Sequence, residues 1–569
     1  MKPQSVRRIR IISAGVFVFA LVLIGKLYLV QIVSGEDFAD RADRQYIQSS
    51  YDYFDRGSIF LTSKDGERIS AATLKTGYII AINPKLIQNP EDVYNRLSSY
   101  VPLDEEEFLS KALKKDDPYE EIVHKIPKEI VDEIDAFKIP GVEIHKERWR
   151  YYPGNTLAAH TLGLIAYKDN DLAGRYGLER YYEDILDRNN DSVFVNFFAE
   201  MFSNVKKSIS DEESIEGDIV TSIEPTVEAY LEEELRKINE KWNSQYTGGI
   251  IINPMNGEIY AMALDPTFDP NALESAKGPS VFTDHLVESV YEMGSIIKPL
   301  TMAAGIDAGA VTEKTTYFDA GFLTLNNKTI SNYDGRGRGL VSMQEVLNQS
   351  LNTGAAFVVS KMGKENFAKY MIDYGIGEET GIDLPNEIHG LTDNLKSPRE
   401  IEYATASFGQ GIAMTPIETV RALATLGNGG MLVNPHIVTK IDYSIGGGKK
   451  IVQNPSKQIL KKETSEEITR MLVHVVDTAL LNGNAKIDNY SVAAKTGTAQ
   501  VANPDGGGYY NDVYLHSFFG YFPAYNPRFL VFLYTFNPKG VKYASETLTV
   551  SFLDITNFLI NYYEIPPDR

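Results

Sequence analysis

Ser295 and Lys298 stand three residues apart in Met293-Gly-Ser-Ile-Ile-Lys-Pro299, at the start of an apolar run that reads as a helix. At that offset two helical side chains share a face, so the Lys298 ammonium can reach the Ser295 hydroxyl. A serine hydroxyl is a poor nucleophile until a neighbouring base takes its proton, and a desolvated lysine of lowered pKa can be that base. Alone the spacing says little: Ser203-Asn-Val-Lys206 repeats it without supporting context. Two further motifs follow in order, Ser350-Leu-Asn352 and Lys495-Thr-Gly-Thr498. Taken singly, the three read as a solvated Ser/Lys pair, a helix cap and a strand-edge glycine; in this order, chance coincidence becomes a poor explanation. Lys75-Thr76-Gly77 duplicates the third motif but lies upstream of the other two, in a region assigned to a separate domain, and is set aside.

The elements that must position these residues begin after a polar, acidic stretch, Lys207 to Asp218, which reads as a linker. Pro225 to Trp242 predicts a helix, with proline in the first turn and Val227, Leu231 and Leu235 at four-residue steps. Two apolar runs around Met255-Asn256-Gly257 predict a hairpin with a two-residue Asn-Gly turn. Strands are expected at Ser491 to Gln500, His516 to Phe522 and Phe529 to Phe536, then a helix capped by Ser545 and running to about Tyr562. Helix, hairpin, a long helical middle, three strands and a closing helix predict an α+β fold, an antiparallel sheet covered by helices. Glu36 to Ile215 reads as a mixed, separate domain with an acidic stretch at Asp104 to Asp135, a short strand at Tyr78 to Ile82, and no clustered chemistry.

Composition narrows the function. At 569 residues with 43% hydrophobic and 23% charged, the chain should fold as two or three domains. Its net charge of -21 and lack of a basic patch argue against nucleic acid as a partner. There is no cysteine, hence no disulfide, thiolate site or lipidated N-terminal cysteine, and the eight histidines show no metal-ligand spacing. No metal or cofactor is expected. Ile11 to Ile24 is apolar apart from Ser13, and with Lys26 and Gln31 tolerated the segment extends to Val33, about 23 residues or roughly 34 Å of helix, long enough to span a bilayer. Lys2, Arg7, Arg8 and Arg10 precede it, which predicts a cytoplasmic tail (1–10), a single transmembrane helix (11–33) and everything beyond it outside the cytoplasm. A cleaved signal peptide is the alternative.

With the trio in this order, the chain resembles the monofunctional (class B) penicillin-binding proteins, the D,D-transpeptidases that cross-link peptidoglycan. The resemblance covers nearly the whole chain. Similar family phrases are Arg56-Gly-Ser-Ile59, Arg150-Tyr-Tyr-Pro153, Tyr176-Gly-Leu-Glu179, Phe268-Asp-Pro-Asn271, Phe408-Gly-Gln-Gly411 with Thr415-Pro416, and His516-Ser-Phe-Phe-Gly520. Tyr291-Glu-Met-Gly-Ser295 looks most like the cell-division (septal) members. Departures are Leu61-Thr-Ser-Lys-Asp-Gly66, where the family has Asp-Arg-Asn-Gly, and Ser222-Ile-Glu224 for Thr-Ile-Asp.

The resemblance implies a transmembrane anchor, an elongated pedestal (dimerisation-type) domain at 34–215 and a transpeptidase domain at 216–569 related to serine β-lactamases. It implies that Ser295 attacks a penultimate D-Ala, that Lys298 is the base, that Ser350 relays the proton with help from Lys495, and that Asn352 orients Lys298 and the substrate amide. Thr496 and Thr498, flanking Gly497, would hold the substrate carboxylate, with Ser295 and Thr498 N–H groups as an oxyanion hole. Implied partners are peptidoglycan stem peptides, β-lactams, a polytopic membrane glycosyltransferase and divisome proteins. Rival readings are an elongation-type transpeptidase, a β-lactamase, which has no use for the anchor and extra domain, a β-lactam sensor, which would need more membrane spans, a bifunctional synthase, for which Glu36 to Ile215 is too short, and a scaffold with dispensable chemistry.

Overall fold

The protein is described by a computed structural model covering residues 54–168, 171–188, 216–444, 447–455, 457–503 and 506–569. The span expected at 11–33 lies outside these residues; among the described residues no helix is long and apolar enough to cross a membrane. The chain divides into two compact units.

The smaller unit centres on Leu74–Arg150. Helices Pro90–Leu97, Glu105–Ala112 and Lys128–Ala136 bury Val93, Leu97, Phe108, Val131 and Ile134 against Ile80 and Ile82 of the strand Arg68–Ile82. The acidic stretch opens with a capped, amphipathic helix: Asp104 accepts the Glu107 N–H, and Glu105, Glu106 and Glu107 fill the first turn, where the helix dipole favours negative charge.

The larger unit takes Gly57–Thr73 and Tyr151–Asp187 together with Glu212–Arg569. The expected linker ends sooner than the polar composition suggests. Gly217–Thr221 is a strand, parallel to Ile59–Thr62 and antiparallel to Val438–Tyr443, and the Asp218 carboxylate accepts the Ser58 N–H at 2.7 Å. Polar residues occur there because the strand's cross-chain partners, not its own pattern, define it.

Helix α1 (Pro225–Trp242) forms as its periodicity predicts, with Pro225 in the first turn and the Glu224 carboxylate capping the Val227 N–H. Five antiparallel strands make the central sheet: β1 (Tyr246–Ile252), β2 (Ile259–Asp265), β3 (Ala493–Ala502), β4 (Tyr509–Phe522) and β5 (Phe529–Phe536), in the order β3-β4-β5-β1-β2. On one face α1 and the closing helix α5 (Thr549–Tyr562) cover Phe518, Val531 and Leu533, with Tyr230 stacked on Phe558 at 4.0 Å. On the other, Phe519, Phe532 and Tyr534 meet α2 (Lys298–Asp307) and α4 (Lys462–His474). Burial on both faces explains why β5 reads as an unbroken apolar run.

Three expected boundaries differ. The β1–β2 connection is longer than a two-residue turn: Asn253 and Glu258 close it through the Asn253 N–H at 2.9 Å, and Gly257 (φ 87°) lies against the Asn434 backbone. β4 begins at Tyr509, in a half-exposed polar stretch without core pattern. Ser545 is not a cap; a short helix Ala544–Thr547 precedes α5, and no side chain caps α5.

Candidate active site

Ser295 sits in a 3-10 turn, Gly294–Ile297, that leads directly into α2. The turn is docked on the segment after Phe408. Tyr291 and Met414 exchange two backbone hydrogen bonds of 2.9 Å, the Gly294 N–H donates to the Gly409 carbonyl at 3.1 Å, and the Gly411 N–H donates to Glu292 Oε1 at 2.8 Å. Gly294 adopts φ 64°, and a Cβ there would lie 2.6 Å from the Thr498 carbonyl oxygen. Glycine is therefore required on both counts. Opposite it, a Cβ on Gly497 would lie 2.7 Å from the Met293 carbonyl oxygen, which already accepts the Ser517 hydroxyl at 2.8 Å. The nucleophile turn and β3 thus pack backbone to backbone.

The spacing of Ser295 and Lys298 delivers the expected contact. Lys298 Nζ lies 2.9 Å from Ser295 Oγ, 2.6 Å from the Ser350 carbonyl oxygen and 3.1 Å from Ser350 Oγ. The side chain is 1% exposed, and among the described residues no carboxylate lies within ion-pairing distance of it. Burial, reinforced by the positive charge of Lys495, holds its pKa well below the ordinary lysine value. A neutral amine has two hydrogens for the two Ser350 oxygens and a lone pair for the Ser295 hydroxyl. Lys495, 3% exposed, is pushed down to about 8 by burial and donates to the Thr496 carbonyl at 3.0 Å.

Ser350 occupies the joint between helices Met343–Asn348 and α3 (Asn352–Met362), in the left-handed region at φ 54°. For a non-glycine residue that conformation is strained by about 1 kcal/mol, and it aims both Ser350 oxygens at Lys298. Asn352 points elsewhere. Its amide donates to the Ser331 carbonyl at 2.8 Å, while Ser295 and Ser350 take up the Lys298 amine. Next to it, Thr353 donates to the buried Asp319 carboxylate, which also accepts from Asn332 Nδ2 and from the Gly321 and Arg338 N–H groups. Asp319 thereby ties the loop before the second motif to the start of α3. Sequence reasoning gave it no role, since nothing local marks it.

These residues open onto one cleft of about 840 Å³, lined among others by Ser295, Ser350, Asn352, Lys495, Thr496 and Thr498. Thr496, Thr498 and Gln500 alternate along β3 and share a face. Among the described residues no Asp or Glu lines the cleft, although the chain carries a net charge of -21, and the charged lining residues described are Lys495 and Lys542. Lys75-Thr76-Gly77, on the strand Arg68–Ile82, is not among them. The arrangement provides a serine with an adjacent buried amine base, a second hydroxyl on that amine, and a cationic cleft for an anionic ligand.

Comparison with known proteins agrees in kind. A family model described as the penicillin-binding protein transpeptidase domain matches residues 247–554, and one described as the penicillin-binding protein dimerisation domain matches 55–222. Stage V sporulation protein D of Bacillus subtilis is 31% identical, over 94% of this chain and 82% of its own length. Peptidoglycan D,D-transpeptidase FtsI of Escherichia coli is 25% identical, over 96% and 90%. In fold, the chain is similar to the crystal structure of penicillin-binding protein 2X from Streptococcus thermophilus, with a TM-score of 0.73 at 20% identity, covering 90% of this chain and 81% of that one. Penicillin-binding protein 3 from Mycobacterium tuberculosis complexed with aztreonam gives 0.68 at 20% identity, covering 91% and 98%.

Proposed function

The chain belongs to the class B penicillin-binding proteins, combining a dimerisation and a transpeptidase domain, and from that premise we propose that it cross-links peptidoglycan stem peptides as a D,D-transpeptidase through an acyl-enzyme on Ser295. The observation that carries this is the buried Lys298 amine, bonded to Ser295 Oγ and both Ser350 oxygens, with no carboxylate among the described residues to hold it charged.

The Ser295 oxygen attacks the carbonyl carbon of the penultimate D-Ala as Lys298 takes its proton. The Ser295 and Thr498 N–H groups receive the oxyanion. Collapse breaks the peptide bond, and the departing D-Ala amine receives the proton through Ser350, with Lys495 supporting the relay. The amine of a neighbouring stem peptide then attacks the ester, loses a proton to the same base and releases Ser295. β3 lies at the edge of its sheet, so its outer backbone groups can pair with the extended peptide. Thr496 and Thr498 hold the terminal carboxylate, and Asn352 orients the substrate amide. β-Lactams acylate Ser295 as strained amides that mimic this substrate.

In this reading residues 11–33 anchor the protein once in the membrane with residues 1–10 in the cytoplasm, 34–215 form the pedestal and 216–569 the transpeptidase domain. The partners are a polytopic membrane glycosyltransferase and divisome proteins. A septal role is supported by similarity to FtsI, and a sporulation role is the second reading, supported by similarity to stage V sporulation protein D. The test is to incubate the purified protein with a stem peptide ending in D-Ala-D-Ala and an amine acceptor. Release of one D-Ala per cross-link, lost in Ser295→Ala, supports the reading, and release without Ser295 would refute it.

A further inference from the structure

His516 takes no part in the chemistry above, yet it lies directly across the β3–β4 ladder from Thr498. It is wholly buried, with Nδ1 3.0 Å from Thr547 Oγ1 and Nε2 3.1 Å from the Lys542 carbonyl oxygen. Burial lowers its pKa to about 4, so the ring is neutral and carries one N–H. A carbonyl can only accept, which places that hydrogen on Nε2 and leaves Nδ1 to accept from the Thr547 hydroxyl, whose hydrogen is shared with the Ala544 carbonyl at 3.1 Å. Both ends of the segment 542–547 are thus fixed to one ring. From within the segment the Ala544 N–H donates to Thr498 Oγ1 at 3.1 Å. A hydroxyl that accepts from an N–H keeps its own hydrogen to donate elsewhere, and Thr498 faces the cleft beside Lys542 and Tyr543.

We propose that His516 is a positioning residue for carboxylate recognition: by clamping Lys542 and Thr547 it seats the Ala544 N–H on Thr498 Oγ1, which makes the Thr498 hydroxyl a fixed donor toward the terminal carboxylate of the substrate. This rests on the acyl-transfer reading above and extends it to selectivity. A ring that served stability alone would affect all acylating ligands alike, whereas this clamp acts on the anionic ones.

The test compares two acyl-D-Ala thioesters that differ only in a terminal carboxylate or its primary carboxamide, on the full chain. His516→Leu removes both ring contacts. His516→Gln can supply a donor and an acceptor. Ala544→Pro deletes only the N–H, at the first residue of the helix Ala544–Thr547, where proline is tolerated and Tyr543 (φ -118°, ψ 136°) already has the conformation that proline favours before it. We expect His516→Leu and Ala544→Pro to lower the carboxylate-to-carboxamide ratio of kcat/KM about tenfold, through KM. The carboxamide alone should change less than about twofold, and His516→Gln should stay within about threefold of the parent on both ligands. A parallel fall for both ligands, or a parental ratio in Ala544→Pro, overturns the proposal. If the Leu variant does not fold, the Pro and Gln variants decide it. A parent protein that turns over neither thioester would refute the acyl-transfer reading itself.

Discussion

Gly497→Ala isolates the close packing between the nucleophile turn and β3. Gly497 has ordinary strand geometry, so the substitution introduces no backbone strain and acts only through its Cβ. That carbon would press on Ser517 Oγ, lie 2.7 Å from the Met293 carbonyl oxygen and 3.0 Å from Ile296 Cγ2. To reach ordinary contact the Met293 carbonyl must retreat by about 0.7 Å, and Ser295 follows two residues later. Misplacing a reacting group by about 1 Å costs on the order of a hundredfold, so acylation by a fluorescent penicillin should slow by about 30- to 100-fold. Overpacking should also cost about 1–3 kcal/mol of stability. Gly497→Ala/Ser517→Ala removes the side-chain clash and leaves the carbonyl clash, so it should regain stability more than rate. The measurement is the second-order acylation constant beside the thermal midpoint for parent, both single variants and the double. A Gly497→Ala protein acylated within about twofold of the parent would refute the idea that backbone contact with β3 places Ser295.

Further outcomes follow from the buried charges. Lys298→Met removes a desolvated amine that has no carboxylate partner among the described residues; acylation should fall at least about a thousandfold while the melting temperature holds or rises, as read by fluorescent penicillin and scanning calorimetry. The acylation rate of the parent should rise with pH as Lys298 loses its proton, and because Lys495 is the second cause of the low Lys298 pKa after burial, Lys495→Gln should move that limb to higher pH in a pH–rate series. The depressed pKa of Lys495 also fixes a sign for stability: below about 8 both folded and unfolded chains carry its proton, and from there toward 10.5 the unfolded chain alone retains it, so this group's contribution to stability grows with pH across that window, measurable by denaturant titration. Asp319→Ala removes the buried carboxylate that accepts from Asn332, Gly321, Arg338 and Thr353, and should cost about 3 kcal/mol by calorimetry.

What the sequence made legible follows the range of the interactions. α1 was readable residue by residue, because Val227, Leu231 and Leu235 repeat at helical spacing and Pro225 marks the first turn. β5 was readable because both its faces are buried, which leaves an unbroken apolar run. The Ser295–Lys298 contact followed from spacing alone. The Asn256-Gly257 dipeptide by itself suggests a two-residue turn, but Gly257 packs against the Asn434 backbone, a partner far along the chain. The start of β4 has no core pattern because Tyr509, which pairs with Ala502, and Asn511 and Asp512 lie in the strand without entering the core. The left-handed Ser350, the Asp319 hub and the His516 clamp depend on contacts between distant segments, for which a single sequence carries no periodic signal. His516 and Phe408-Gly-Gln-Gly411 were visible as phrases, and only the structure connects them to Thr498 and to the nucleophile turn.

The most direct test of the central claim is the intact mass of the protein after incubation with benzylpenicillin, beside Ser295→Ala. One stable adduct of the drug's mass is expected on the parent, localised to the peptide containing Ser295, and none on the variant. Drug hydrolysis without an accumulating adduct, or an adduct that persists in Ser295→Ala, would contradict it.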